Sequence, residues 1–357
     1  MRMNEWVENG WYLVAYSNDL SPGKIMKRTV LNQPLLLLRT EQGIIALEDR
    51  CPHRFAPLSA GKLLADNRIQ CGYHGLVFDT SGNCVDNPHS STQTIPKNCR
   101  VRAYPVIERL NSVWLWMGRA PADVSLMPDL QIFEDAPAGS LSKPDYLLMD
   151  VPFDLIADNL LDLSHAAYLH DGVLGNETTV AATYSVKRRE RGITVDRFSP
   201  GIRPAEYFNL IFMRDEAPVD HWNTVHWDAP ASIFLDVGVT KIGEPRSAGT
   251  GAYAAHFLTP ETENTTHYHF FARRMNPIPR DADDDAAVQK RLAELRRLAF
   301  AGQDRPMIKA QHEIISMARD NLQPICLEND VGIVQWRRIS KDLHAQETID
   351  PSFAAHA

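Results

Sequence analysis

Two cysteine–histidine pairs constrain this chain more than any other feature. Residues 51–74 read CPHRFAPLSAGKLLADNRIQCGYH: Cys51-x-His53, then the intervening residues 54–70, then Cys71-x-x-His74. Two thiolates and two imidazoles can hold a [2Fe–2S] cluster in which histidines replace the cysteines on one iron, the Rieske arrangement. The same four ligands also suit tetrahedral zinc, although zinc sites usually put two or more residues between paired ligands, a spacing that Cys51-x-His53 lacks. Turn-forming stretches, Arg54 to Ala60 and Gly72 to Gly75, follow the pairs and would set the ligands at the tips of two loops.

At 357 residues the chain is long enough for two domains with cores of their own. Its formal charge of -8 gives no support to a nucleic-acid role. The start, MRMNEWVENGWYLVAY, has no long apolar core or cleavage site, and no apolar run reaches the roughly 18 residues of a membrane span. Five cysteines are too few and scattered for a disulfide framework. With Cys51 and Cys71 as ligands, Cys84, Cys99 and Cys326 are expected as free, buried thiols in a reducing cytoplasm.

From Trp11 to about Met117 the text is short strands and turns: WYLVAY (11–16), PLLLLRT (34–40), GIIALED (43–49), LVFD (76–79) and SVWLWMG (112–118). This predicts an all-β module over 1–120. The stretch 121–140, rich in Pro, Ala and Asp, reads as a linker, 141–349 as a second domain and 350–357 as a loose tail. In the second domain, 218–243 and 251–275 read as long antiparallel strands. Val288, Leu292, Leu295 and Ala299 form a helical stripe behind the acidic start DADDDAA.

The second chemical cluster is FDLIADNLLDLSHAAYLH (153–170). A helix across most of it would bring Asn159, Asp162 and His165 to one side, while His170 joins His165 only where the helix ends or distorts. Asp171-Gly172 offers such an end. Two histidines with a carboxylate from elsewhere would make a facial triad with open positions for O₂. An Asp162 carboxylate one turn before His165 could accept the free N–H of that imidazole.

CPHRFAPLS, CGYHGLVFD and DNLLDLSHAAYLH together make the chain resemble the oxygenase (alpha) component of Rieske non-haem iron oxygenases. NGWYLVAY, DNLLDLSH and HFLTPETENTTHY narrow the resemblance to the vanillate O-demethylase, dicamba O-demethylase and toluenesulfonate methyl-monooxygenase subgroup. The resemblance implies an α+β chain: an N-terminal all-β Rieske [2Fe–2S] domain and a C-terminal helix-grip catalytic domain, whose curved antiparallel sheet wraps a long helix. It assigns the cluster to Cys51, His53, Cys71 and His74, and a mononuclear Fe(II) to His165, His170 and Asp304. Glu313 and Asp320 are the alternative acids. Gly302 and Pro306 flank Asp304 and predict a local break in the helix there.

The resemblance further makes Asp162 the bridge from His165 to His74 or His53 of an adjacent chain in a homotrimer, and puts Asn159 beside the iron. His256 and Asp236 become candidate substrate contacts, whereas Arg274 reads more simply as a surface residue. The candidate positions for the loop-to-loop disulfide of respiratory Rieske proteins are Ala56 and Tyr73, so no bridge can form. That fits the low end of the Rieske potential range, roughly -150 mV. No GxGxxG fingerprint is present, so electrons are expected from a separate NADH-dependent reductase of flavin or ferredoxin type. The expected reaction uses O₂ to O-demethylate or hydroxylate a small aromatic compound, an aromatic acid being the expected type. Ring cis-dihydroxylation and a pure electron carrier are the competing readings. The carrier would leave two-thirds of the chain idle.

Overall fold

A computed structural model describes residues 6–92, 94–319 and 322–349. The expected tail, 350–357, lies outside them, as does Asp320. The chain divides into two compact units.

One unit holds Glu8–Met127 together with Thr259–Glu263. It is built from small antiparallel sheets: Ile25–Val30, Gln33–Thr40, Gly43–Glu48 and Ala103–Tyr104 in one, and Trp11–Tyr16, Ser112–Trp116 and Val106–Arg109 in another. Both faces of Ser112–Trp116 are buried, as its alternating Trp and aliphatic residues require. A third sheet, Lys62–Leu63, Ile69–Gln70, Val77–Phe78 and Cys84–Asp86, carries the Cys71 loop. Thr259–Glu263 joins this unit through main-chain bonds from Leu31 to Pro260 (2.9 Å) and from Asn32 to Glu261 (3.0 Å).

The other unit is organised by a seven-stranded antiparallel sheet in the order Asp145–Met149, Thr265–Met275, Thr250–Thr262, Ser232–Lys241, Val219–Asp228, Gly192–Ile202, Thr183–Arg189. Asp281 caps the helix Ala282–Arg297 by accepting from the Asp284 N–H at 2.8 Å, and three aspartates fill its first turn. The predicted stripe is buried, with Leu295 and Ala299 fully so. The chain does not break at Gly302. It widens into a π-helical stretch, Leu298–Asp304, and continues as Arg305–Met317, with Pro306 in the first turn of that segment.

Two sequence expectations need correction. The 121–140 stretch is not a free tether: Leu130 and Phe133 are buried, and the Phe133 ring packs edge-on against Phe271 at 5.0 Å. Of the three other cysteines, Cys84 is buried but Cys99 is half-buried and Cys326 exposed. No helix among the described residues is long and apolar enough to cross a membrane.

Candidate metal centres and substrate cavity

The two cluster loops are built alike. Cys51 N–H bonds Ala56 O (2.9 Å) and Phe55 N–H bonds Cys51 O (2.8 Å), while Cys71 N–H bonds Leu76 O (2.8 Å) and Gly75 N–H bonds Cys71 O (3.0 Å). Each loop closes through a left-handed residue, Gly75 (φ +73) in one and the non-glycine Phe55 (φ +58) in the other, where a side chain is strained. Both thiols are buried, whereas the imidazoles sit at the outer tips with ring centroids 4.5 Å apart. The donor set is thus sorted into a sulfur pair inside and a nitrogen pair outside, as a cluster with one iron on each pair requires. Burial and the neighbouring Cys71 thiol push Cys51 up to about 11, so Cys51 becomes thiolate readily only against a cation. His89, which the sequence reading passed over, bonds the His74 carbonyl at 2.9 Å and steadies that tip.

The second centre depends on where a helix stops. Phe153–Leu161 buries Phe153, Leu155, Ile156 and Leu160, and Arg337 fixes its polar side by pairing with Asp154 (3.3 Å) and Asp158. The helix ends at Asp162 (φ -105, ψ 93), earlier than Asp171-Gly172, and a short 3₁₀ turn, Leu163–Ala167, follows. This changes the role expected of Asp162 toward His165. The main-chain carbonyl of Asp162, not its carboxylate, meets His165 Nδ1 at 2.5 Å. The carboxylate instead accepts from the Ser164 N–H (3.0 Å) and from Asn329 Nδ2 (3.2 Å). An extended Asp162 turns its carbonyl toward the imidazole and leaves its side chain to cap the next turn.

The early stop lets the two histidines converge. The His165, His170 and Asp304 ligand atoms all lie within 4.8 Å of one another, the one such metal-capable group among the described residues. His170 Nε2 is 3.1 Å and His165 Nε2 3.6 Å from Asp304 Oδ1. The other nitrogen of each ring is held: His165 Nδ1 by the Asp162 carbonyl, and His170 Nδ1 by Gln303 Oε1 at 2.8 Å. Fixing one nitrogen leaves the other free for a metal, the arrangement found at histidine-ligated sites. Burial lowers the basicity of His165, and the Asp304 charge does not offset it. Burial also opposes charge on His170, but the hydrogen bond and charge of Asp304 outweigh it and raise that group. Two imidazoles and one buried carboxylate suit a divalent iron, with one face left open. Asn159 Nδ2 donates to Asp304 Oδ1 at 3.2 Å, so it stands beside the carboxylate.

These three residues open onto a cavity of about 110 Å³. That is comparable to the roughly 150 Å³ of an engineered cavity that takes one benzene ring. Its walls are almost wholly apolar, with Leu235, Val237, Ala252, Ala254, Phe270 and Phe300 prominent among them. Strand parity decides the polar contacts. Leu235 and Val237 face the cavity, so Asp236 between them points the other way and accepts from Trp222 Nε1 at 2.9 Å; it lines no part of the cavity. Asn223, paired with Val237 across the sheet, is the polar residue on the correct face, and register alone could have found it. His256 does line the cavity; it is 1% exposed and its Nδ1 lies 2.7 Å from the Tyr268 hydroxyl. Burial and then the charge of Arg296 depress His256 to about 3, so the ring is neutral. Arg274, for its part, is tied to Asp285 at 2.7 Å.

The Rieske [2Fe–2S] domain family matches residues 10–105, and the vanillate O-demethylase oxygenase C-terminal domain family matches 149–346. The oxygenase component of chloroacetanilide N-alkylformylase from Rhizorhabdus wittichii is 33% identical over 93% of this chain and 94% of that one. The oxygenase component of dicamba O-demethylase from Stenotrophomonas maltophilia is 32% identical over 97% and 99%. The crystal structure of dicamba monooxygenase bound to 3,6-dichlorosalicylic acid superposes with a TM-score of 0.85 at 31% identity, covering 97% of this chain and 100% of that one.

Proposed function

The chain belongs to the Rieske oxygenase components of the vanillate O-demethylase type, and on that premise we propose that it O-demethylates or hydroxylates a substituted aromatic compound with O₂ and electrons from a separate reductase. The observation that carries this is the convergence of His165, His170 and Asp304 on a cavity whose walls suit one aromatic ring. Iron held there supplies the open coordination positions at which O₂ is activated. Every other part of the work falls to the protein. The apolar walls hold the ring and exclude water, Asn159 orients the Asp304 carboxylate, and the neutral His256 offers Nε2 to a polar substituent.

On a methoxyarene, one oxygen atom enters the methyl C–H bond and the second leaves as water, with two electrons and a proton drawn from NADH and a further proton from solvent. The hemiacetal then collapses to the phenol and formaldehyde. Cys51, His53, Cys71 and His74 would hold the cluster that receives the electrons, and Asp162 would link His165 to the cluster of an adjacent chain in a homotrimer. The reductase is an NADH-dependent protein of flavin or ferredoxin type. The exposed Cys326 thiol suits a reducing cytoplasm.

The test is turnover of a panel of methoxy-, methyl- and chloro-substituted aromatic acids with NADH and a surrogate reductase. Formaldehyde from a methoxy acid, or a benzylic alcohol from a methyl acid, in step with NADH consumption is the expected result. A cis-diol product, or NADH consumption unaffected by every compound, contradicts the proposal.

A further inference from the structure

The cavity holds one permanent positive charge. Among its lining side chains Arg296 is the only lysine or arginine, and it enters from the same helical run that carries Asp304. The Arg296 side chain is 16% exposed and packs over the Phe270 ring, 5.8 Å from guanidinium carbon to centroid. One terminal nitrogen pairs with Asp145 at 2.6 Å. Nε is buried and meets no hydrogen-bond partner among the described residues. Asp145, by contrast, is 47% exposed, on the edge strand of the sheet. The pair is therefore lopsided: the cation is inside and its carboxylate faces water.

A guanidinium carries five N–H donors and matches a carboxylate or sulfonate through two at once. Leaving some of them against an apolar wall costs free energy that an anionic guest would recover. The charge is felt across the cavity: it adds to burial in opposing protonation of His256, and it works against the dominant effect of burial in favouring ionisation of Tyr207. His256, kept neutral, cannot supply an anion's counter-charge itself.

We propose that Arg296 anchors the anionic group of the aromatic substrate, and that Asp145 is the counter-ion which the substrate's acid group displaces or shares. This rests on the aromatic-oxygenase reading and narrows its substrate class to carboxylates and sulfonates. Arg296 acts on specificity, orienting the ring and touching no reacting bond.

The experiment compares 4-methoxybenzoate with 4-methoxybenzamide on the holoenzyme by calorimetry, at one pH and ionic strength. The wild-type protein is expected to bind the acid about 10-fold or more tighter than the amide. Arg296→Gln should weaken the acid about 30-fold while moving the amide by less than about 3-fold, and Arg296→Lys should restore part of the difference. Asp145→Asn, which removes the competing carboxylate, should tighten the acid several-fold and serves if Arg296→Gln fails to fold. No acid preference in the wild type, equal loss of both ligands in Arg296→Gln, or a weaker acid in Asp145→Asn would each overturn the anchor. Formaldehyde release from the amide, which needs no anion anchor, tests demethylation separately.

Discussion

His170 Nε2 lies 3.1 Å from Asp304 Oδ1, and the residue beside that aspartate, Gln303, clamps the other nitrogen of the same ring at 2.8 Å. One π-helical turn thus delivers both a ligand and the group that aims its neighbour. Gln303→Leu is expected to leave the fold intact and weaken metal binding at this centre about 10- to 100-fold. Titration with Fe(II) or Co(II), with the cluster in place, reads it; an unchanged affinity would show that the clamp is incidental.

Asp162 offers its carbonyl to His165 and its carboxylate to a capping turn and Asn329. Asp162→Ala therefore keeps the carbonyl contact and should retain mononuclear iron, at a cost of about 1 kcal/mol from the lost cap. It should lose coupled turnover. Metal analysis alongside single-turnover oxidation of the reduced cluster separates the two effects. Loss of the iron, or near-normal coupled activity, would count against the division of labour.

Arg337 is a stability element for the iron centre. It pairs with Asp154 and Asp158 on the helix that ends at Asp162, while Trp336 Nε1 donates to Asp158 at 2.9 Å. Arg337→Ala strands two acids at a largely buried site and should destabilise the catalytic unit by about 3 kcal/mol. Denaturant unfolding checks it, and a change below about 0.5 kcal/mol would mean that water takes over the pairing.

Burial holds His221 and His256 near 3, so the native chain leaves both unprotonated where an unfolded chain, with ordinary histidines, binds protons below about 6.5. The unfolded state then binds more protons, and stability should rise with pH between about 3 and 6.5 and level off above. Each histidine contributes about 1.4 kcal/mol per pH unit within that window. His221→Gln should reduce the slope by one such share in urea titrations from about pH 4 to 6. An equal slope in the variant would place His221 in contact with water.

How much of this was legible in the sequence follows from how local each signal is. Cys51, His53, Cys71 and His74 lie in two tight loops, so their spacing alone carries the chemistry. His165, His170 and Asp304 could be matched by motif because the ligand types recur in order. The Asp162 carbonyl could not, because it depends on the helix stopping at Leu161. Asp236 was named where Asn223 belongs because a strand's facing residues are set by register, and one position reverses the face. Arg296 carried no mark of its own until Phe270 and Asp145 were brought against it.

The central claim is that one chain carries both an electron-receiving cluster and an oxygen-activating iron. Iron and labile-sulfide analysis with EPR on the purified protein tests it most directly. About three irons and two sulfides per chain, with a mononuclear signal beside that of the reduced cluster, is the result expected. About two irons and two sulfides, with no mononuclear signal even after Fe(II) is added, would make the chain an electron carrier and contradict the account.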